Sequence, residues 1–387
     1  MVQGMENLYR TPHAIVIGAG LAGLTVAHYL QSEGVETLVL DGAPDAASSW
    51  KARHPQLLLN THRSLSQLPG LRYPPGTPSF PPRDAVIAHL QEFSRHARFP
   101  IRYNAKVERV HARPEGGYRV ELGTEAIDCA HVIVATGRDR LPVWPEIEGL
   151  AGFTGTVLHA AEFGEARAYD GRRLLVVGGG NSGFDIVNHL SRGRPACLWM
   201  AVRSASAILP RRLKGVAVHR FSPLMEKLPG AVADLAMGLV ERLAFGPRGK
   251  LGLPKPPGGA ATRLRLEHVA IPIDDGAIRS MAEGRTRVVP PVTRIEGSHV
   301  ILADGTVIEP DTILFATGYR TGLEPLVGTL GVLDAAGVPR LEDGFRSARE
   351  GLWFAGMIPN LVSYFYSADR EGRAIARAIA KDRRDRA

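Results

Sequence analysis

Gly18-Ala19-Gly20-Leu21-Ala22-Gly23 and Gly178-Gly179-Gly180-Asn181-Ser182-Gly183 are both spaced as G-x-G-x-x-G. In such a turn the first glycine permits the tight bend. The second admits a pyrophosphate to the backbone, and the third lets the following helix pack on the preceding strand. The helix N-terminus adds unpaired N–H groups and a positive dipole. Asp41 follows the first turn at the end of the next strand, where a carboxylate accepts a ribose hydroxyl. After the second turn the matching place holds no acid but Arg203-Ser204, and a guanidinium there suits a 2′-phosphate. The second dinucleotide is therefore predicted to be NADPH rather than NADH. Two dinucleotides on one chain predict hydride transfer from NADPH to a flavin. No Ser-His-Asp arrangement, metal-ligand cluster or Walker lysine competes with this reading, and no metal is expected.

The elements that must position these turns are legible in outline. Ala14-Ile-Val-Ile17 is a short apolar run suited to a buried parallel strand. Leu21, Leu24, Ala27 and Leu30 recur at helical spacing, Gly34 stands where a C-terminal glycine belongs, and Val35 to Leu40 reads as the next strand. The pattern returns as a strand over Leu174–Val177, a helical face of Phe184, Val187 and Leu190, Gly193 as its expected cap, and a strand over Ala196–Val202. A shorter echo pairs Val132-Ile-Val-Ala-Thr-Gly137 with Ile313-Leu-Phe-Ala-Thr-Gly318, each a buried strand ending in glycine. The glycine and proline content of residues 246–265 predicts loop. Before it, Val232, Leu235, Leu239 and Leu243 mark one helical face, expected to pack against the domain or a second subunit, or to form a lid over a substrate channel. A homodimer is compatible with that stripe.

With 387 residues, 44% hydrophobic and 22% charged, the chain is long enough for two or three domains and is not a disordered, collagen-like or coiled-coil sequence. Its two cysteines, Cys129 and Cys197, are too few and too far apart for a disulfide scaffold, a redox pair or a zinc site. No apolar run approaches a membrane span, and the polar start from Met1 to His13 lacks a signal-peptide pattern, so a cytoplasmic protein is expected. The net charge of +8 is mostly arginine interleaved with acids, and the tail from Lys381 to Arg386 is of mixed charge. The arginines do not cluster with aromatics as in a base-stacking groove, so no nucleic-acid partner is expected.

Phe153-Thr-Gly155-Thr-Val-Leu-His159-Ala-Ala-Glu-Phe163 fits the fingerprint F-x-G-x-x-x-H-x-x-x-[YF], and Ala135 to Gly149 fits A-T-G-x-x-x-x-P-x-x-P-x-I-x-G. With Asn181-Ser182-Gly183 and Phe315-Ala-Thr-Gly-Tyr319, these motifs make the chain, from about Ala14 to Ala380, resemble the class B flavin-containing monooxygenases. Within the family it is most similar to bacterial members and to the plant indole-3-pyruvate monooxygenases (YUCCA type). Arg203, Leu209-Pro-Arg211, Gly252-Leu-Pro-Lys-Pro256 and Ile271-Pro-Ile-Asp-Asp-Gly276 resemble segments of that branch. The chain departs from relatives in having Ser48-Ser49 before Trp50, and from disulfide reductases of the same architecture in having Gly356-Met357 and no cysteine pair. Baeyer–Villiger enzymes carry Trp at Phe163, and Pro or Asp at Gly164.

The resemblance implies an α/β fold of two Rossmann-like dinucleotide-binding domains. An FAD domain over 1–167 and 287–387 is interrupted by an NADPH domain over 168–286, with a lid or substrate-channel segment at 210–270. It implies Asn60, in Leu57-Leu-Leu-Asn-Thr-His62, as the catalytic residue, since an amide can donate to a flavin peroxide and accept from the nicotinamide carboxamide. It implies cofactor contacts at Gly18, Ala19, Gly20, Leu21, Ala22, Gly23, Asp41, Ser49, Trp50, Thr61, Val107, Thr136, Gly137, Gly178, Gly180, Asn181, Ser182, Gly183, Arg203, Ser204, Thr317, Gly318, Gly356 and Met357. His159 is expected to hold the interdomain joint. The implied activity is an FAD- and NADPH-dependent monooxygenase in which oxygen adds at flavin C4a and one atom passes to a small organic substrate, either a soft N or S nucleophile or a 2-keto acid. The alternatives are an NADPH-dependent flavin reductase or oxidase that oxygenates nothing, and a nucleotide-sensing flavoprotein without turnover.

Overall fold

Ten strands form two parallel sheets in the computed structural model, which describes residues 12–204 and 206–386. In chain order they are β1 (Ala14–Ile17), β2 (Thr37–Leu40), β3 (Ile101–Arg102), β4 (His131–Val134), β5 (Thr156–His159), β6 (Arg173–Val177), β7 (Cys197–Ala201), β8 (Thr286–Val289), β9 (Thr312–Phe315) and β10 (Leu352–Phe354). The first sheet runs β10-β4-β1-β2-β3 and the second β8-β7-β6-β9-β5. Five helices bear on the site: α1 (Leu21–Ser32), α2 (Asn181–Leu190), α3 (Gly230–Phe245), α4 (Ala260–Glu267) and α5 (Tyr364–Arg386). The central strands β1 and β6 each feed a glycine turn and then α1 or α2, the βα unit of a Rossmann-like domain. Of the start read as unsignalled, Met1 to Thr11 lies outside the described residues.

The strands are apolar on both faces because both faces are covered. Ala14 and Val16 of β1 point into a core with α1 and α5, whereas Ile15 and Ile17 point into one with the antiparallel strands of 109–129. In the second sheet Leu174 and Val176 of β6 pack on α2, and Leu175 packs on a hairpin around Ile295, Val300 and Leu302. Helix α5, whose end is the mixed-charge tail, lies along α1. Gly372 makes that approach close, since a Cβ there would stand 2.9 Å from the Tyr29 ring.

Several elements differ from expectation. The second sheet reaches beyond 168–286, because β6 takes β9 as its neighbour (Leu175 beside Ile313), and β9 takes β5. The shared Ala-Thr-Gly strand ends thus belong to different sheets, β4 in the first and β9 in the second. Residues 246–265 are not all loop, for α4 begins at Ala260. Its cap comes from another helix: Asp234 of α3 accepts from Ala261 N at 2.6 Å and from Thr262 N at 3.2 Å. Gly193 has no left-handed φ, and α2 ends at Leu190 with Ser191 as its C-cap. Gly34, by contrast, is left-handed at φ 73° as its position required. The stripe Val232, Leu235, Leu239 and Leu243 faces solvent, while Ala233, Met237 and Glu241 on the other side of α3 are buried.

Candidate active site

The first glycine turn has the sterics of a dinucleotide cradle. Gly18, at φ 111°, lies where a Cβ would come 2.6 Å from Ala135 O, at the end of β4. At Gly23 a Cβ would be 1.8 Å from Gly18 O, so the start of α1 is pressed onto the turn. Gly20 caps α1, and a Cβ there would meet nothing within 4 Å. That open side is where a pyrophosphate fits, against the N–H groups of Leu21 and Ala22. Asp41, at the end of β2, accepts from Ala19 N at 2.5 Å and from Ala43 N at 2.7 Å, so its carboxylate sits over the turn. Thr136 and Gly137 continue β4 beside it, with the Thr136 hydroxyl buried and unbonded. Gly356-Met357 follows β10 and abuts α1, with Ala22 Cβ 2.9 Å from where a Gly356 Cβ would be. Gly356 N donates to Glu371 of α5 at 2.7 Å, and burial pushes the Glu371 carboxyl up to about 7.

The remaining residues expected on this side are more scattered. Trp50 packs on the core beneath α1, Ser49 is exposed, and Val107 packs beneath the opposite face of the sheet. Thr61 shares a hydrogen bond with Ser66 at 2.7 Å.

The second turn repeats the first. Gly178, at φ 128°, would place a Cβ 2.4 Å from Ala316 O at the end of β9, Gly183 would place one 2.0 Å from Gly178 O, and Gly180 is open. Gly179 is also required, because a Cβ there would lie 2.7 Å from Val202 Cγ1. Arg203 and Ser204 are exposed just beyond β7, with the Ser204 carbonyl close by Gly179. Thr317 donates its hydroxyl to Val143 O, and Gly318, at φ 93°, has open space around its Cβ position. Both cradles therefore fit dinucleotides.

Asn60 stands where the two halves meet. Its loop lies alongside 79–83, with Leu59 N bonded to Pro81 O at 2.8 Å and Arg83 N to Leu57 O at 2.8 Å. The Asn60 amide donates to Asn181 Oδ1 at 3.0 Å, at the first residue of α2, and its Oδ1 accepts from Arg211 Nη2 at 3.2 Å. Arg211 follows Leu209-Pro210, which pairs with Ile273-Asp274, a segment held to α2 by Asn188. The Arg211 guanidinium is buried over the Phe80 ring at 5.3 Å. Burial lowers its pKa, against the raising effect of Asp275, whose Oδ2 is 3.4 Å from Nη1. Its Nε and Nη1 have no hydrogen-bond partner. A buried cation with donors to spare costs free energy unless something anionic or polar meets it.

Arg211 was visible in the sequence only as part of a motif. Its burial is what singles it out. Two other groups were not anticipated. His54, Asp185 and His189 form a buried cluster, with His54 Nε2 2.7 Å and His189 Nε2 3.6 Å from the Asp185 carboxylate. Burial raises the Asp185 carboxyl, but the bonds from His189 and His54 outweigh it and hold it below the usual range. This set could ligate a cation, although no local spacing joins His54 to α2. His219, pushed down to about 4 by burial, accepts from His62 N at 3.0 Å through Nδ1 and contacts Val362 O through Nε2, as a neutral ring with its proton on Nε2 does. His159 caps the turn after β5, accepting from Ala161 N at 3.2 Å while its own N–H donates to Glu162 at 2.9 Å.

The sequence pattern of the pyridine nucleotide-disulphide oxidoreductases matches residues 15–208. The chain is 31% identical over 342 residues to the probable indole-3-pyruvate monooxygenase YUCCA3 of Arabidopsis thaliana, covering 84% of this chain and 77% of that one. It is 32% identical over 325 residues to the probable indole-3-pyruvate monooxygenase YUCCA7 of the same plant, covering 80% and 74%. Among solved structures, a flavin-containing monooxygenase from Stenotrophomonas maltophilia shares the fold at TM-score 0.73 and 22% identity, covering 96% of this chain and 98% of that one.

Proposed function

Because this chain belongs to the class B flavin monooxygenases, using FAD and NADPH to insert one oxygen atom of O2 into a substrate, we propose that its substrate is a 2-oxo acid held by Arg211 at the junction of the two cradles. The carrying observation is the buried guanidinium beside Asn60, whose Nε has no hydrogen-bond partner among the described residues and whose Nη1 has only the Asp275 carboxylate at 3.4 Å. A substrate carboxylate can accept from the unpartnered Nε, and a neutral amine or thioether brings no anionic acceptor to it. The named activity of the plant relatives, on indole-3-pyruvate, supports the same class. The overall reaction balances as 2-oxo acid, O2, NADPH and H⁺ giving the carboxylic acid one carbon shorter, CO2, water and NADP⁺.

In this reading Gly18–Gly23, Asp41, Ser49, Trp50, Thr61, Val107, Thr136, Gly137, Gly356 and Met357 hold FAD, and Gly178–Gly183, Arg203, Ser204, Thr317 and Gly318 hold NADPH. Reduced FAD supplies the oxygen activation. The Asn60 amide donates to Asn181 of the NADPH cradle and its carbonyl accepts from Arg211, so it couples that cofactor's position to the substrate's. The Phe80 ring covers the Arg211 guanidinium and keeps water from it. Cys129 and Cys197 are both free, which supports a cytoplasmic setting.

The test is Arg211→Met, assayed on phenylpyruvate and indole-3-pyruvate by the shortened acid formed. A charge-assisted hydrogen bond contributes about 1.5–3 kcal/mol, so KM for the oxo acid should rise ~10–150-fold with KM for NADPH unchanged. A rise in the NADPH value instead would assign Arg211 to the cofactor. Amine or thioether oxygenation by the parent, with no shortened acid, would overturn the substrate class. NADPH loss yielding only hydrogen peroxide for every substrate would favour the reductase reading.

A further inference from the structure

Residues 212–268 form a helical module whose surface differs from the rest of the molecule. Eight of the twelve large apolar side chains exposed among the described residues fall between Val216 and Leu266. On α3, Leu235, Leu239 and Leu243 are 77%, 58% and 67% exposed and share one face. Leu224, in the helix before α3, and Leu266 of α4 are 56% and 77% exposed. These helices are tied together from within. Asp234 caps α4, and Arg265 donates to the carbonyls of Met225, Glu226 and Leu228. The leucines therefore stand on a rigid platform rather than on a loop that could fold them away.

Charge distinguishes the possible occupants of this face. The segment 212–268 carries ten lysines and arginines against four acids. Three of those acids are consumed internally: Asp234 by α4, Glu241 by Arg248 at 3.2 Å, and Glu267 by Arg263 at 2.8 Å. The fourth, Glu226, is half-buried. Arg220, Lys227, Arg242 and Lys250 are exposed, and no acidic side chain among the described residues pairs with them. A second copy of this chain, docked face to face through this module, would bring two such cationic surfaces together, a repulsive arrangement. Exposed leucines in a module with an excess of exposed cations, Arg242 one turn from Leu239 among them, instead match an anionic bilayer surface, where apolar side chains enter the acyl boundary and cations meet headgroup phosphates. Among the described residues no helix is long and apolar enough to cross a membrane.

We infer that this module docks the enzyme peripherally on an anionic lipid bilayer, with α3 lying in the interface and its leucine stripe inserted. The strand pair 212–217 and His219 link the docked module to Arg211 and to the Asn60 loop, so the substrate junction adjoins the membrane-facing side of the molecule.

The experiment sediments the FAD-loaded protein with vesicles of phosphatidylcholine alone and with vesicles containing one third phosphatidylglycerol. Binding to the mixed vesicles only, reversed by salt, is expected. Each cation at the surface contributes about fivefold in partitioning, so Lys227→Glu/Arg242→Glu should lower it by about 25-fold or more. Leu235→Ser/Leu239→Ser should lower it by about tenfold. Unchanged melting temperature and flavin content in both variants show that the loss is of docking and not of fold. Absence of binding to either vesicle, or equal binding to both, would overturn the inference. So would a solution dimer that the leucine substitutions dissociate, which would assign the face to a second copy.

Discussion

The second and third glycines of the first cradle, Gly20 and Gly23, are equally small in the sequence but opposite in what surrounds them. An added methyl should therefore separate cofactor binding from folding. At Gly23 the new Cβ would stand 1.8 Å from Gly18 O and 3.2 Å from Val16 Cγ1. A Cβ and a carbonyl oxygen need about 3 Å, so α1 and the turn must part by ~1.2 Å inside a close-packed core. Overpacking of that kind costs about 1–3 kcal/mol, and the obstacle here is backbone, which puts Gly23→Ala at about 3 kcal/mol or more. For a chain of 387 residues that corresponds to a loss of roughly 4 °C or more in Tm. At Gly20 nothing lies within 4 Å, and the φ of −82° suits any residue. Gly20→Ala loses only the better helix cap, about 0.5–1 kcal/mol and ~1 °C. Its methyl occupies the space in which the pyrophosphate meets the N–H groups, and losing one charge-assisted bond there weakens FAD binding by ~10–150-fold. The assays are thermal melts of the flavin-free protein and fluorescence titration with FAD. If Gly20→Ala held FAD as tightly as the parent, the open side of the turn would not be the cofactor's. If it melted as low as Gly23→Ala, steric reasoning from the added Cβ would fail.

Arg203→Ala should weaken use of NADPH by ~10–150-fold and leave NADH nearly unchanged, since the lost partner is one 2′-phosphate. Steady-state kinetics with both nucleotides checks this, and equal losses would make Arg203 structural. Asn60→Ala should retain FAD and its reduction while more of the consumed NADPH appears as hydrogen peroxide, measured against product. An unchanged ratio would remove Asn60 from the junction's chemistry. The Glu371 carboxyl is raised by burial from an ordinary 4.5 to about 7, so its protonated form is favoured in the fold. Its stabilising contribution is full below the unfolded value and is lost as pH rises through about 7. Glu371→Gln should therefore flatten the fall in Tm between pH ~5 and ~8, and a parallel curve for parent and variant would refute the assignment.

Both cradles were legible in the sequence because their determinants are local. Six residues, a strand before and a helix after specify a turn that only glycine can make at Gly18 and Gly178, and the continuous apolar runs of β1 and β6 are written in adjacent residues. Gly34 could likewise be read as the left-handed residue ending α1, since the stop signal is a single position. What the sequence did not contain was the partner of each local signal. The cap of α4 is an aspartate on α3, so Gly258-Gly259 read as loop while the structure continues into helix. Helical spacing grouped Val232, Leu235, Leu239 and Leu243 on one face but carried no information about which face meets the core. Ala233 and Met237 took that place, packing on α4. Asn60 meets Asn181 and Arg211 across 121 and 151 positions of chain. Periodicity and spacing act over a few residues. The environment that makes Arg211 a buried, half-satisfied cation comes from Phe80, Asn60 and Asp275, which only the closed fold brings to one place.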